Sequence, residues 1–342
     1  MNNLLAFDNL DNMNNENERR QFLLKSAGLL LTGLLPNLAD AESSDNKVTE
    51  TPDLFPGFKR IAIKTSGATI NGVMGGSGPP LLLLHGYPQS HLEWYKIAPM
   101  LAKNYTVVAT DLRGYGDSSV PQDGINHFGY SKRAMAQDQV EVMEQLGFKA
   151  FRVAAHDRGA RVGHRMALDH PAKVQKLVVM DIVPTHKLYA STNKKFATSY
   201  WHWFFLIQPA PIPETLLLNH ESFILKEWFF KGLVPKVISE EVYNEYLRHF
   251  KDPSKMHAMC EDYRAGASID LEHDEQDMNV KVACPVLALW GANGAMGTQF
   301  NVLETWRERA LNVSGRSLAC GHWMPEQLPE EVYSELINFL KD

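Results

Sequence analysis

The stretch "AAHDRGARVG", residues 154–163, follows the apolar run "FRVAAHD" and leads into a helical pattern, so Asp157 stands on a turn between a strand and a helix. Ala155 and Gly159, two residues to either side, are small enough for a sharp turn that lifts the carboxylate clear of the backbone. This is the form of a nucleophile elbow with aspartate in place of serine. A carboxylate attacks without a base to activate it. An ester formed on it then needs a histidine to activate water and an acid to orient that histidine.

Two arginines, Arg158 and Arg161, accompany the aspartate. They fit either an ion pair that holds the elbow or a cationic clamp for a small substrate that is itself a carboxylate, since paired guanidiniums offer bidentate geometry. Both arrangements keep Asp157 ionised. The candidate histidine is His322 in "ACGHWMPE", after the last short strand. For the acid, "GANGAMGT" after the strand "PVLALWG" offers no carboxylate, whereas Asp181 ends the strand "KLVVMD". Asp111, Arg113 and Asp117 in "TDLRGYGDSS" read as residues that cap and pair around a tight loop, and His156 as a packed neighbour of the elbow.

The elements that must position these groups alternate along the chain. "RIAIKTSGATINGVMGG" has the pattern of an opening hairpin, and the runs 80–86, 105–111, 151–157, 176–182 and 285–291 are continuous apolar strands, as burial on both faces requires. Residues 130–147 and 161–173 read as helices, the first closed by Gly147. From 185 to 270 the chain becomes aromatic and proline-punctuated, and helices follow one another without strands. The expected class is α/β: a mostly parallel central sheet flanked by helices, built from 55–184 and 271–342, with a helical lid inserted at 185–270.

Composition narrows the partners. The chain has 342 residues, 44% hydrophobic and 22% charged, with a formal charge of −6 and no basic stripe, which argues against nucleic acid and an anionic membrane surface. Cys260, Cys284 and Cys320 are too few and odd in number for a disulfide framework, and the scattered histidines show no metal-ligand spacing. Neither metal nor organic cofactor is expected. A small molecule is the default ligand, and pairing into a homodimer is left open. Residues 1–41 carry Arg19-Arg20, an apolar run from Leu29 to Leu35 and a small-x-small end at Ala39-Asp40-Ala41. They resemble a twin-arginine export signal, cleaved near Ala41, with Glu18 departing from the usual Ser or Thr. The apolar run is about a third of the roughly 20 residues that a spanning helix needs, so no stable membrane anchor is expected.

From about residue 55 onward the chain resembles the α/β-hydrolase fold and, within it, the haloacetate (fluoroacetate) dehalogenases. "HGYPQSHLEW", "TDLRGYGDSS", "HDRGARVGHRMALDHP", "DIVPT", "QPAPIPE", "CEDYRAG" and "GHWMPE" match that pattern in order. The resemblance implies attack by Asp157 on a carbon bearing halide, then ester hydrolysis by His322 with Asp181. It also implies that Arg158 and Arg161 hold the substrate carboxylate, that His202, Trp203 and Tyr263 receive the halide, and that backbone amides at Tyr87 and Arg158 form an oxyanion hole. An epoxide hydrolase with the same Asp-His-Asp set is the alternative, with Tyr263 and Tyr200 as lid acids. A non-catalytic scaffold for organic anions is a third.

Overall fold

The computed structural model describes residues 54–341, so the leader 1–41 lies outside the described residues. Eight strands form one sheet: β1 (Lys59–Lys64), β2 (Thr69–Gly76), β3 (Pro80–Leu84), β4 (Thr106–Thr110), β5 (Phe151–His156), β6 (Val174–Met180), β7 (Val286–Gly291) and β8 (Val313–Leu318). Their order is β1-β2-β4-β3-β5-β6-β7-β8, antiparallel at β1-β2 and β2-β4 and parallel from β4 to β8.

The inner strands are largely apolar because both faces are covered. Leu82 and Leu84 of β3 join the cluster on one face, with Val108, Val153 and Val179, while Leu81 and Leu83 join the cluster on the other, with Val107, Ala109 and Ala154. This is the period of two that a strand imposes on its side chains. β8 is different. As an edge strand it carries exposed Ser314, Arg316 and Ser317, polar residues of the kind that blunt an edge against pairing, and its apolar signal is correspondingly weak.

Helix α1 (Lys132–Gln145) starts at Ser131, whose side chain accepts from Ala134 N–H, and ends before Gly147 at φ 91°. Helix α2 (Asp157–Asp169) begins four residues earlier than the sequence pattern suggests. Its buried face includes Arg158, Arg161, His164 and Arg165, so polarity along the chain does not mark which residues face inward. Between Thr185 and Gln276 the chain is helical without a strand, in short helices broken by prolines, with a π-helical turn at Ile224–Phe229. Two lid helices matter for the site: α3 (Trp201–Leu206) and α4 (Pro253–Gly266), the latter capped by Asp252 with Pro253 at its first position. The helices α5 (Met324–Gln327) and α6 (Pro329–Leu340) close the chain. Among the described residues no helix is long and apolar enough to cross a membrane.

The first turn of α2 lies against the end of β3: Gly159 N–H donates to the His85 carbonyl at 2.9 Å, and a Cβ on Gly159 would stand 2.5 Å from that oxygen. Gly159→Ala is therefore expected to cost about 1–3 kcal/mol through overpacking. Urea unfolding should show a lower midpoint with an unchanged slope, and a wild-type midpoint would mean that β3 and α2 separate freely.

Candidate active site

Above the carboxyl ends of β3, β5 and β6, where open α/β sheets gather their chemistry, a cavity of about 230 Å³ is lined by Asp157, Tyr87, His202, Trp203, Tyr263 and His322, with Tyr200 and Phe229 beside them. A larger hollow of about 360 Å³ between Lys187, Phe300 and Glu308 contains none of the elbow residues.

Asp157 follows extended His156 and takes φ 42°, the left-handed region where a non-glycine residue carries strain. Its Oδ2 accepts from Tyr87 N–H at 3.1 Å and lies 4.0 Å from His322 Nε2. His322 Nδ1 is 2.6 Å from Asp181 Oδ2, and Asp181 Oδ1 accepts from Gly291 N–H at 2.9 Å. The three residues proposed from sequence thus meet in one chain of contacts. A Cβ on Gly291 would fall 2.1 Å from the Gly321 carbonyl, so the end of β7 packs on the histidine loop with no space for a side chain. The carboxylate comes instead from the next strand, through Asp181, itself at φ 51°.

Burial works against the charge on Asp157, but His322, His156, Arg161 and Arg158 around it hold its carboxyl below the usual range. Arg158 takes the ion-pair role weighed from sequence, and neither arginine is among the residues that line the cavity. Arg158 makes an ion pair that the sequence does not reveal: Nε donates to Asp262 Oδ2 at 2.8 Å and Nη2 to Oδ1 at 2.9 Å, while Nη1 has no hydrogen-bond partner. Lys132 pairs with the same Asp262 carboxylate, so one anion faces two cations. Arg161 Nη1 donates to the Val183 carbonyl and Thr185 Oγ1, leaving buried Nε unpartnered. Both guanidiniums lie against cavity walls, Arg158 4.2 Å from the Tyr263 ring centroid and Arg161 4.5 Å from that of Trp203.

His202, Trp203 and Tyr263 all line the cavity. Burial drops the His202 imidazole to about 3, so it is neutral near pH 7 and presents an N–H without a charge. Burial likewise raises the Tyr263 and Tyr200 phenols well above their usual value and keeps them protonated. Trp201 turns away, with its ring 4.1 Å from Trp228, and is not part of the cavity wall. That separates two tryptophans the sequence leaves equivalent. The backbone N–H of Tyr87, expected in an oxyanion hole, donates to Asp157 Oδ2.

Asp111 and Arg113 are structural: Asp111 accepts from His91 N–H at 2.7 Å and Asp117 N–H at 2.9 Å, and Arg113 pairs with Asp138. The three cysteines are unpaired, and burial raises their thiols, which leaves no thiolate nucleophile among the described residues. One group there, Asp123, His257 and Glu261, converges as metal ligands could. It is already closed: His257 bridges Asp123 and Glu214, and Glu261 binds Arg264 and His127.

Residues 79–327 match the family model described as alpha/beta hydrolase fold. A fluoroacetate dehalogenase from Burkholderia sp is 44% identical over 84% of this chain and 96% of that protein, and a soluble epoxide hydrolase from Corynebacterium sp. (strain C12) is 35% identical over 80% and 95%. The crystal structure of a putative alpha/beta hydrolase from Nostoc sp PCC 7120 superimposes with a TM-score of 0.81 at 57% identity, covering 83% of this chain and 98% of that one.

Burial opposes the charge on Asp262, yet Arg158 and Lys132 hold its carboxyl well below the usual carboxylate range. A depressed pKa contributes stability above the unfolded value of about 3.9, and that contribution is lost as pH falls. Asp262→Asn should therefore cost about 3–5 kcal/mol at pH 7 and clearly less at pH 3. Urea unfolding at both pH values checks this; an equal cost at each would mean that charge is not what Asp262 contributes.

Proposed function

The chain belongs to the α/β-hydrolase family, in its haloacetate dehalogenase branch, and on that premise we propose that it hydrolyses the carbon–halogen bond of short 2-haloacids such as fluoroacetate through an ester on Asp157. The observation that carries this reading is the pairing of a buried aspartate nucleophile with two buried guanidiniums, each left with an unpartnered N–H. Unpartnered buried donors are costly, and a substrate carboxylate would satisfy them. A neutral epoxide would bring no negative charge to match theirs.

In this reading Asp157 Oδ2 is occupied by Tyr87 N–H, so Oδ1 attacks the α-carbon. A C–O bond forms as the C–X bond breaks, and the electron pair departs with the halide toward the neutral donors His202, Trp203 and Tyr263. His322 Nε2, 4.0 Å from Oδ2, is close enough to hold a water beside the ester. His322 takes its proton, Asp181 stabilises the imidazolium, and the hydroxide adds to Cγ while Tyr87 N–H, with Arg158 N–H as second donor, holds the oxyanion. Collapse expels the glycolate oxygen, which takes the proton from His322, and leaves Asp157 as the acid; that proton then passes through the neutral His322 to solvent and restores the carboxylate. Residues 1–41 would export the folded enzyme by the twin-arginine route, a proposal that rests on their sequence alone.

Assays of halide release from fluoroacetate and chloroacetate, with styrene oxide in parallel, test the proposal. Both haloacids should release halide, and Asp157→Asn should lower the rate by about four orders of magnitude. Arg161→Leu should lose about 1.5–3 kcal/mol, roughly 10- to 100-fold in kcat/KM. Diol formation without halide release would transfer the function to epoxide hydrolysis, with Tyr200 and Tyr263 as acids on the cavity wall.

A further inference from the structure

Behind the elbow lies a buried group of titratable side chains that neither chemical step uses. Glu93, on the short turn His91–Trp94 capped by Ser90, and His156 are both fully buried. Glu93 Oε2 accepts from Gly86 N–H at 2.8 Å, one residue before the Tyr87 amide that reaches Asp157. Its Oε1 lies 2.8 Å from His156 Nδ1, an ion pair bent away from a straight hydrogen bond. His156 Nε2 lies 2.9 Å from the His322 carbonyl, and the two histidine rings are 4.6 Å apart.

Both ring nitrogens of His156 face acceptors, a carboxylate and a carbonyl, an arrangement that favours the imidazolium. The surroundings agree: burial alone would favour the neutral ring, but Glu93, with Asp157 and Asp181 beyond it, holds the imidazole up at about 9. On the far side, Glu326 accepts from Gln89 Nε2 at 2.7 Å and Tyr246 O–H at 3.1 Å. Burial, then the nearby Glu93, pushes its carboxyl up to about 8.

We propose that Glu93 and His156 are positioning residues for the ester-hydrolysis step, tying the Gly86-Tyr87 backbone that holds the oxyanion to the His322 backbone that carries the base. The pair fixes the distance between an amide and an imidazole that come from opposite ends of the chain. Attack by Asp157 uses only the hold of the Tyr87 amide on Oδ2 and not the imidazole; addition of water to Cγ needs the amide and the imidazole in register. The inference rests on the ester reading of Asp157.

Rapid-quench halide release and intact-mass measurement on three variants test it. His322→Asn should release one halide per enzyme and stop as the ester, which checks the underlying reading. His156→Gln, and independently Glu93→Gln, which keeps an acceptor for Gly86 N–H, should give a burst near the wild-type rate. The following steady rate should fall roughly 10- to 100-fold, as a displacement of about 1 Å would cause, with the ester visible by mass. If His322→Asn traps the ester but both other variants turn over without a burst, or lose burst and steady rate in equal proportion, the positioning role is overturned. If His322→Asn traps no ester, the nucleophile reading itself fails.

Discussion

The backbone of Asp157 stands at φ 42°, a conformation that costs an L-residue on the order of 1–3 kcal/mol, and the packing of α2 on the end of β3 keeps it there. The contact of Gly159 N–H with the His85 carbonyl fixes the first turn of the helix, and Tyr87 N–H accompanies the carboxylate itself. A side chain at 159 would press on that carbonyl and strain the turn. The reach of His322, the orientation of Oδ2 and the reach of the arginines all follow from this turn.

Charge balance is the second requirement. Asp157 is buried and must remain ionised, so positive charge has to be concentrated around it, and buried positive charge needs its own counter-ions. Asp262 pairs with both Arg158 and Lys132, while Glu93 pairs with His156. The elbow is thereby framed by two ion-pair systems. In the proposed function the first offers its remaining guanidinium donors to the substrate carboxylate, while the second holds backbone.

Much of the fold is legible in the sequence because the inner strands are apolar on both faces and the elbow sits between small residues. What escapes has physical causes. β8 is a polar edge strand, α2 buries arginines and histidines that read as surface, and the π turn at Ile224–Phe229 has no pattern of its own. In the site, Asp157, Asp181 and His322 can be found from their places after strands. Asp262, Lys132 and Glu93 cannot, since each acquires its role by meeting a residue distant in the chain. Asp262 adjoins Tyr263, and nothing in "CEDYRAG" says which of them faces the cavity. Trp201 and Trp203 become distinct only when the turn of α3 directs them apart.

The central claim is that Asp157 itself bonds to substrate, and the most direct test is a single turnover with enzyme in excess over chloroacetate in water enriched in heavy oxygen. If the ester forms and is hydrolysed at Cγ, the first glycolate carries ordinary oxygen taken from Asp157, and the label appears in the Asp157 carboxylate of the recovered peptide. Label in the glycolate of that first turnover, with Asp157 unlabelled, would mean that water attacks the substrate carbon directly and Asp157 acts only as a base.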